Sequence, residues 1–271
     1  MLKPYIILNQ NVAPNVIASN HNSPIKKLFI LFIICLLLYH IYGKVKSIMI
    51  DKSDIFDEVT DNLAMWCADD CFGADLADAA GVAITNKLHA VSVVPSAIDQ
   101  LWAWLENTNV KIFGRFYIDS DIDDEFMSNF SMRVNASFRA GADGAIVFMH
   151  IGDLDKFVSN MSFIREDLFF NKTLSVGLDI NEIGVADWHN VFGLLSTLRA
   201  DSLTLFLSND AGDKSDFVGR IYSMLDSDMG DWRGALYFVP GKNIARVDQF
   251  YRLTGQMRSN MAPNMLFWID N

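Results

Sequence analysis

The sequence predicts an α/β chain folded as a single (β/α)8 barrel, and three observations carry that expectation. Eight short apolar runs lie between Leu63 and Ile269, and a stretch of helical periodicity follows each of the first seven. The runs are apolar at consecutive positions, as strands covered on both faces of a parallel sheet must be. The chain has 271 residues, 51% hydrophobic and 20% charged, which is enough for one core of barrel size. A doubly wound open sheet is the alternative. No Gly-x-Gly-x-x-Gly follows the first strand and no P-loop is present, which lowers it.

A short leading helix is expected over Asp51–Asn62, and the first strand over Leu63–Ala68, ending at Asp69-Asp70. The first barrel helix runs about Ala74–Lys87. The second strand, His89–Val94, is stopped by Pro95. Ser96 is then placed to cap a helix over Ala97–Asn107, in which Leu101, Trp102 and Leu105 form one apolar stripe. The third strand is Val110–Tyr117. The helix after it, Asp121–Ala140, opens on acidic residues, as the helix dipole favours. Gly141-Ala142-Asp143 makes the turn into the fourth strand, Gly144–Met149, and Leu154–Phe163 is helical. Leu174–Asp179, Ser202–Leu207, Gly234–Val239 and Met265–Ile269 are the remaining strands. Helices at about Val185–Arg199, Lys214–Leu225 and Ala245–Arg258 separate them. The chain stops soon after the eighth strand, so a barrel without its last helix is expected. Trp102, Trp104, Trp188 and Trp232 are expected to pack between helices and barrel.

Residues 1–48 are a different kind of sequence. They contain five lysines (Lys3, Lys26, Lys27, Lys44 and Lys46) and no carboxylate, so all 33 acidic residues lie beyond them. The whole chain has a net charge of −11, but 49–271, with 17 basic against 33 acidic residues, carries −16, and no basic stripe is available to meet phosphates, which argues against nucleic acid. Within 1–48, the run Leu28–Tyr42 is strongly apolar and flanked by lysines, but short of the roughly 20 residues that span a bilayer. It could be a short membrane anchor. Translation could instead begin at Met49, leaving a cytoplasmic barrel. A signal peptide or a free helix is a further reading. The three cysteines, Cys35, Cys67 and Cys71, fit no disulfide framework and no zinc site. Cys67 and Cys71 read as a buried or partly buried pair of thiols at a strand end.

The segments 89–116 (HAVSVVPSAIDQLWAWLENTNVKIFGRF), 139–154 (RAGADGAIVFMHIGDL), 174–183 (LSVGLDINEI) and 198–210 (LRADSLTLFLSND) together resemble the deoxyribose-phosphate aldolase family. The order and spacing agree over about Met65–Leu253. The resemblance implies an aldolase-type barrel and a class I lyase that works through a lysine Schiff base, with no metal or other cofactor. It also implies where catalytic groups should stand. The strand-4 aspartate falls at Ile146, the Schiff-base lysine on strand 6 at Thr204, and the second lysine on strand 7 at about Phe238. None of these can do the job, since a Schiff base requires an amine. The phosphate loop after strand 7 reads Pro240-Gly241-Lys242, with one glycine kept, and its counterpart after strand 8 is expected to be missing, since the chain ends at Asn271.

Catalysis in such a barrel gathers at the C-terminal ends of the strands. Those ends offer Asp69, Asp70, Arg115, Asp119, His150, Asp179, Asn209, Asp210, Lys242 and Asp270. Asp69, Arg115, His150, Asp179, Asn209 and Lys242 are the ligand candidates at the mouth; no catalytic residue and no metal ligand is assigned. Arg115 and Lys242 could take a small phosphorylated or carboxylated metabolite, or each could pair with a nearby Asp. His150 shares parity with Ile146 and is placed to face the mouth. The carboxylates alternatively serve as caps and turn residues. The expectation is an aldolase-like barrel that has lost Schiff-base chemistry, a pseudoenzyme or small-anion binder. One alternative is an active carbon–carbon lyase or metal-assisted hydrolase using the rim carboxylates. Another is a membrane-anchored interaction protein.

Overall fold

A computed structural model describes residues 63–119, 121–207, 217–239, 245–257 and 265–270. The leading segment, with its apolar run 28–42 and the helix expected over 51–62, lies outside these residues, as do Asn209, Asp210 and Pro240-Gly241-Lys242.

Eight parallel strands close into a barrel in sequence order: β1 (Leu63–Trp66), β2 (Ala90–Val93), β3 (Lys111–Tyr117), β4 (Gly144–Met149), β5 (Thr173–Asp179), β6 (Ser202–Phe206), β7 (Ala235–Val239) and β8 (Met265–Asp270). β8 returns to β1, pairing Ala64 with Trp268 and Trp66 with Asp270, so no edge is left open. The helices between them are α1 (Ala74–Thr85), α2 (Ile98–Leu105), α3 (Asp124–Arg139), α4 (Leu154–Met161), α5 (Arg165–Leu168), α6 (Trp188–Leu198), α7 (Phe217–Asp226) and α8 (Ala245–Met257). Among the described residues, no helix is long and apolar enough to cross a membrane.

Two apolar cores follow from the strand period of two. Outward residues such as Val91, Val147, Val176 and Leu203 pack under the helices. Inward residues form a second cluster of Ala64, Ala90, Phe113, Ile146, Phe148, Tyr237, Leu266 and Trp268, with Trp66, Phe206, Ala235 and Val239 against it. The inner cluster is dominated by rings, and small residues on neighbouring strands make room for them. A Cβ added to Gly177 would stand 2.3 Å from the Phe148 ring.

Three turns from helix to strand are built alike, before β2, β4 and β6. Lys87, Gly141 and Arg199 take positive φ (53°, 110° and 54°). The next residue, Leu88, Ala142 or Ala200, is buried and its N–H donates to a carbonyl five positions back, a Schellman-type helix end. The residue after that, His89, Asp143 or Asp201, donates its N–H to the preceding strand or its approach (2.8, 2.7 and 2.9 Å). Asp143 and Asp201 add a side-chain bond, accepting from Ile112 N (2.9 Å) and Leu174 N (2.8 Å). The Gly-Ala-Asp of 141–143 is thus a register device at the N-terminal face of the barrel. Gly141 is glycine for a second reason: a Cβ there would meet Trp102 at 2.2 Å.

Several expectations are corrected. Ser96 does not cap a helix; it lies inside a 3-10 turn, Pro95–Ala97, and α2 begins after it without a side-chain cap bond. The cap on α3 is Asp123, whose carboxylate accepts from Phe126 N at 2.8 Å. The helix expected over Leu154–Phe163 is α4, and the short α5 that follows it was not expected. Trp188 and Trp232 are buried and both stack on Phe192, but Trp102 and Trp104 are 44% and 39% exposed.

Candidate active site at the barrel mouth

Arg115 is third of four residues whose side chains alternate into the barrel along β3, and it is 1% exposed. A guanidinium this deep requires partners for its donors. Nη1 donates to the Ser92 carbonyl (2.9 Å) and to Ser92 Oγ (3.0 Å). Nη2 donates to the Cys67 carbonyl (2.5 Å) and to Asp69 Oδ1 (2.7 Å). Its carbon lies 4.3 Å from the centroid of the Trp66 ring, which covers it. Asp69 and Arg115 are therefore brought together, but as a tie between the β1 and β3 ends. Both Nη atoms are thus held by protein groups, while the buried Nε has no hydrogen-bond partner among the described residues.

Rings pack against one another at this end of the inner core. Phe148 contacts Trp66 (centroids 5.5 Å), Tyr117 (5.2 Å, stacked) and Phe206 (5.4 Å). Tyr117 is 47% exposed; burial of its hydroxyl end raises its pKa, and the nearby Arg115 guanidinium partly offsets this. Deeper in, Tyr237 stacks on Trp268 (5.1 Å), and burial pushes its phenol strongly up. Such contacts contribute about 0.5–1.5 kcal/mol each beyond the area they cover.

The positions implied by the aldolase resemblance are now located. Ile146 faces inward and is fully buried. Thr204 also faces inward, with Oγ1 2.8 Å from Ser175 Oγ on the neighbouring strand. Phe238 is a correction. It faces outward and stacks on Phe250 of α8 (4.7 Å), so it is not the inward position of β7. The β7 residue in register with Thr204 is Tyr237. The only lysine on a described strand is Lys111, an exposed residue at the start of β3, far from the mouth.

His150 does not point into the barrel. It sits on the rim with its side chain 75% exposed, and Nδ1 lies 2.6 Å from Glu182 Oε1. The other oxygen of Glu182 accepts from Ile151 N (3.1 Å). The hydrogen bond to Glu182 raises the His150 pKa, helped by the charge of the same carboxylate. Asp179 closes its own turn, accepting from Asn181 N at 2.9 Å. Arg220 on α7 holds this loop by donating to the carbonyls of Ile180, Asn181 and Ile183 (3.2, 3.0 and 3.3 Å). Glu182 and Arg220 were not legible as site residues. Glu182 lies in a loop after the strand, and Arg220 reaches in from a helix. Among the described residues, no three His, Cys, Asp or Glu side chains converge as a metal site requires.

No protein-family model and no curated protein matches the sequence. Solved structures do match the fold. One from Toxoplasma gondii ME49, provisionally assigned as a deoxyribose-phosphate aldolase, aligns with a TM-score of 0.60 at 13% identity, over 80% of this chain and 93% of its own. Another with the same provisional assignment, from Coccidioides immitis, gives 0.56 at 13%, over 72% and 78%. The deoxyribose phosphate aldolase of Aeropyrum pernix gives 0.54 at 11%, over 67% and 77%. At these identities the likeness establishes the fold: this is a TIM barrel of the kind seen in deoxyribose-phosphate aldolases.

Proposed function

We propose that this barrel is an aldolase-type scaffold that does not form Schiff bases and acts by binding. The observation that carries the reading is Thr204. Where the aldolase resemblance calls for a reactive amine, a threonine hydroxyl is held by Ser175 inside a packed core. Its register partner on the next strand is a buried tyrosine. The rings of Trp66 and Phe206 pack on Phe148 in the same inward-facing cluster, and Tyr117 stacks on it, which supports the reading. A small anion remains the proposed ligand class only through Lys242, which lies outside the described residues, because Arg115 is enclosed by protein groups.

The test is reductive trapping. The full chain is incubated with acetaldehyde and borohydride and its mass measured. No stoichiometric adduct is expected; an adduct mapped to any barrel lysine overturns the proposal.

The His150–Glu182 pair favours a second reading. An imidazole held by a carboxylate at a barrel mouth is an arrangement used for proton transfer. Lyase turnover that leaves no trapped adduct, and that His150→Gln abolishes, would establish it in place of the first.

A further inference from the structure

The loop between β1 and α1 contains a group that neither reading uses. Cys67 follows β1 directly and Cys71 lies four residues on, and both are buried, at 0% and 6% exposure. A turn brings them together: Cys71 N donates to the Ala68 carbonyl at 3.1 Å. The two side chains are near enough to interact, and Cys71 contributes to the raised pKa of Cys67. The same loop supplies the Cys67 carbonyl and the Asp69 carboxylate that hold Arg115. The sulfurs therefore sit at the root of the tie that joins β1 to β3.

We propose that Cys67 and Cys71 are a redox modification site, a thiol pair that closes into a disulfide by exchange with a low-molecular-weight disulfide. Cys71 is the nearer to solvent and reacts first. Its thiolate attacks one sulfur of the external disulfide, a new S–S bond forms, and one small thiolate leaves. The deprotonated sulfur of Cys67 then attacks Cys71 Sγ and expels the second small thiolate. Two protein thiols are oxidised, one external disulfide is reduced to two thiols, and the two protons lost from the cysteines are taken up by the departing thiolates. The product is uncharged and less polar than two thiols, so it suits this buried position. Burial pushes the Cys67 thiol up to about 12, with the neighbouring Cys71 adding to the effect. The closing step is therefore slow near neutral pH and quickens as pH rises. The ring spans few residues, so closing it fixes the loop that grips Arg115 more than it stabilises the whole chain.

The experiment uses the full-length chain. It is exposed to an excess of a small disulfide, quenched in acid, unfolded, alkylated with a mass tag and digested at Lys and Arg. Both cysteines fall in the peptide 53–87, whereas Cys35 falls in another. The expected product is that peptide about 2 Da light and untagged, restored to two tags by a dithiol reductant. Cys67→Ser should instead stop at a mixed disulfide on Cys71. Two tags on the wild-type peptide, a stable mixed disulfide without internal closure, or a link from Cys35 to either residue would each overturn the proposal. If Cys67→Ser fails to fold, the wild-type peptide map decides alone.

Discussion

The ring of Phe148 lies where a side chain on Gly177 would begin: an added Cβ would stand 2.3 Å from it. The two residues are register partners on β4 and β5, and the absence of one side chain allows the other to cross the mouth and reach Trp66 and Phe206. The ring packing around Phe148 follows from this exchange of volume.

Gly177→Ala should therefore destabilise the barrel by about 1–3 kcal/mol through overpacking. The check is the denaturant midpoint. Placing the same change on a Phe148→Leu background should recover part of the loss, because the smaller side chain can yield; equal costs in both backgrounds would contradict the packing account.

Arg115 and Asp69 form an ion pair with unequal ends, 0% and 64% exposed. Asp69→Asn should cost less than about 1 kcal/mol, since water screens the carboxylate. Arg115→Met removes the donors that the Cys67 and Ser92 carbonyls share inside the barrel, and should cost about 3 kcal/mol or more. Urea unfolding of the two variants side by side measures the asymmetry.

At the other face, Asp143→Ala should cost about 1–2 kcal/mol by leaving Ile112 N without its side-chain acceptor. Lys87→Gly, at positive φ in the equivalent turn before β2, should raise stability by about 1 kcal/mol. Thermal or denaturant unfolding tests both, and the opposite signs are the content of the prediction.

The His150–Glu182 tie should weaken on the alkaline side. Its folded-state pKa is raised above the ordinary 6.5, so its stabilisation is complete below that value and is lost as pH rises through the folded-state pKa. Because the imidazole is exposed, the global effect is small and the local one is the readout. An NMR titration should give His150 a raised midpoint that Glu182→Gln returns toward 6.5. An unchanged midpoint would remove the tie.

The barrel was legible because its evidence is local. Apolar runs, turn residues and helical stripes identify eight strands and the helices between them, and β4 lies where the sequence places it, at Gly144–Met149. The resemblance likewise led to an inward position at Thr204. The site itself was only partly legible. Asp69 and Arg115 meet as ion-pair partners, while His150 turns outward to Glu182, 32 residues along the chain.

By itself the sequence determined the strand and helix order and the parallel class of the sheet, favoured closure over an open sheet, and showed the lack of an amine at Ile146 and Thr204; the β8–β1 pairing decided closure. Tertiary structure alone decided that Phe238 faces a helix, that Tyr237 stands beside Thr204, and that Arg115 lies under Trp66 with Asp69 as its ion-pair partner. The physical reason is the period of two along a strand. Alternation shows which residues share a face, but neighbouring strands fix which face is inside, and a shift of one residue exchanges a core ring for a helix contact.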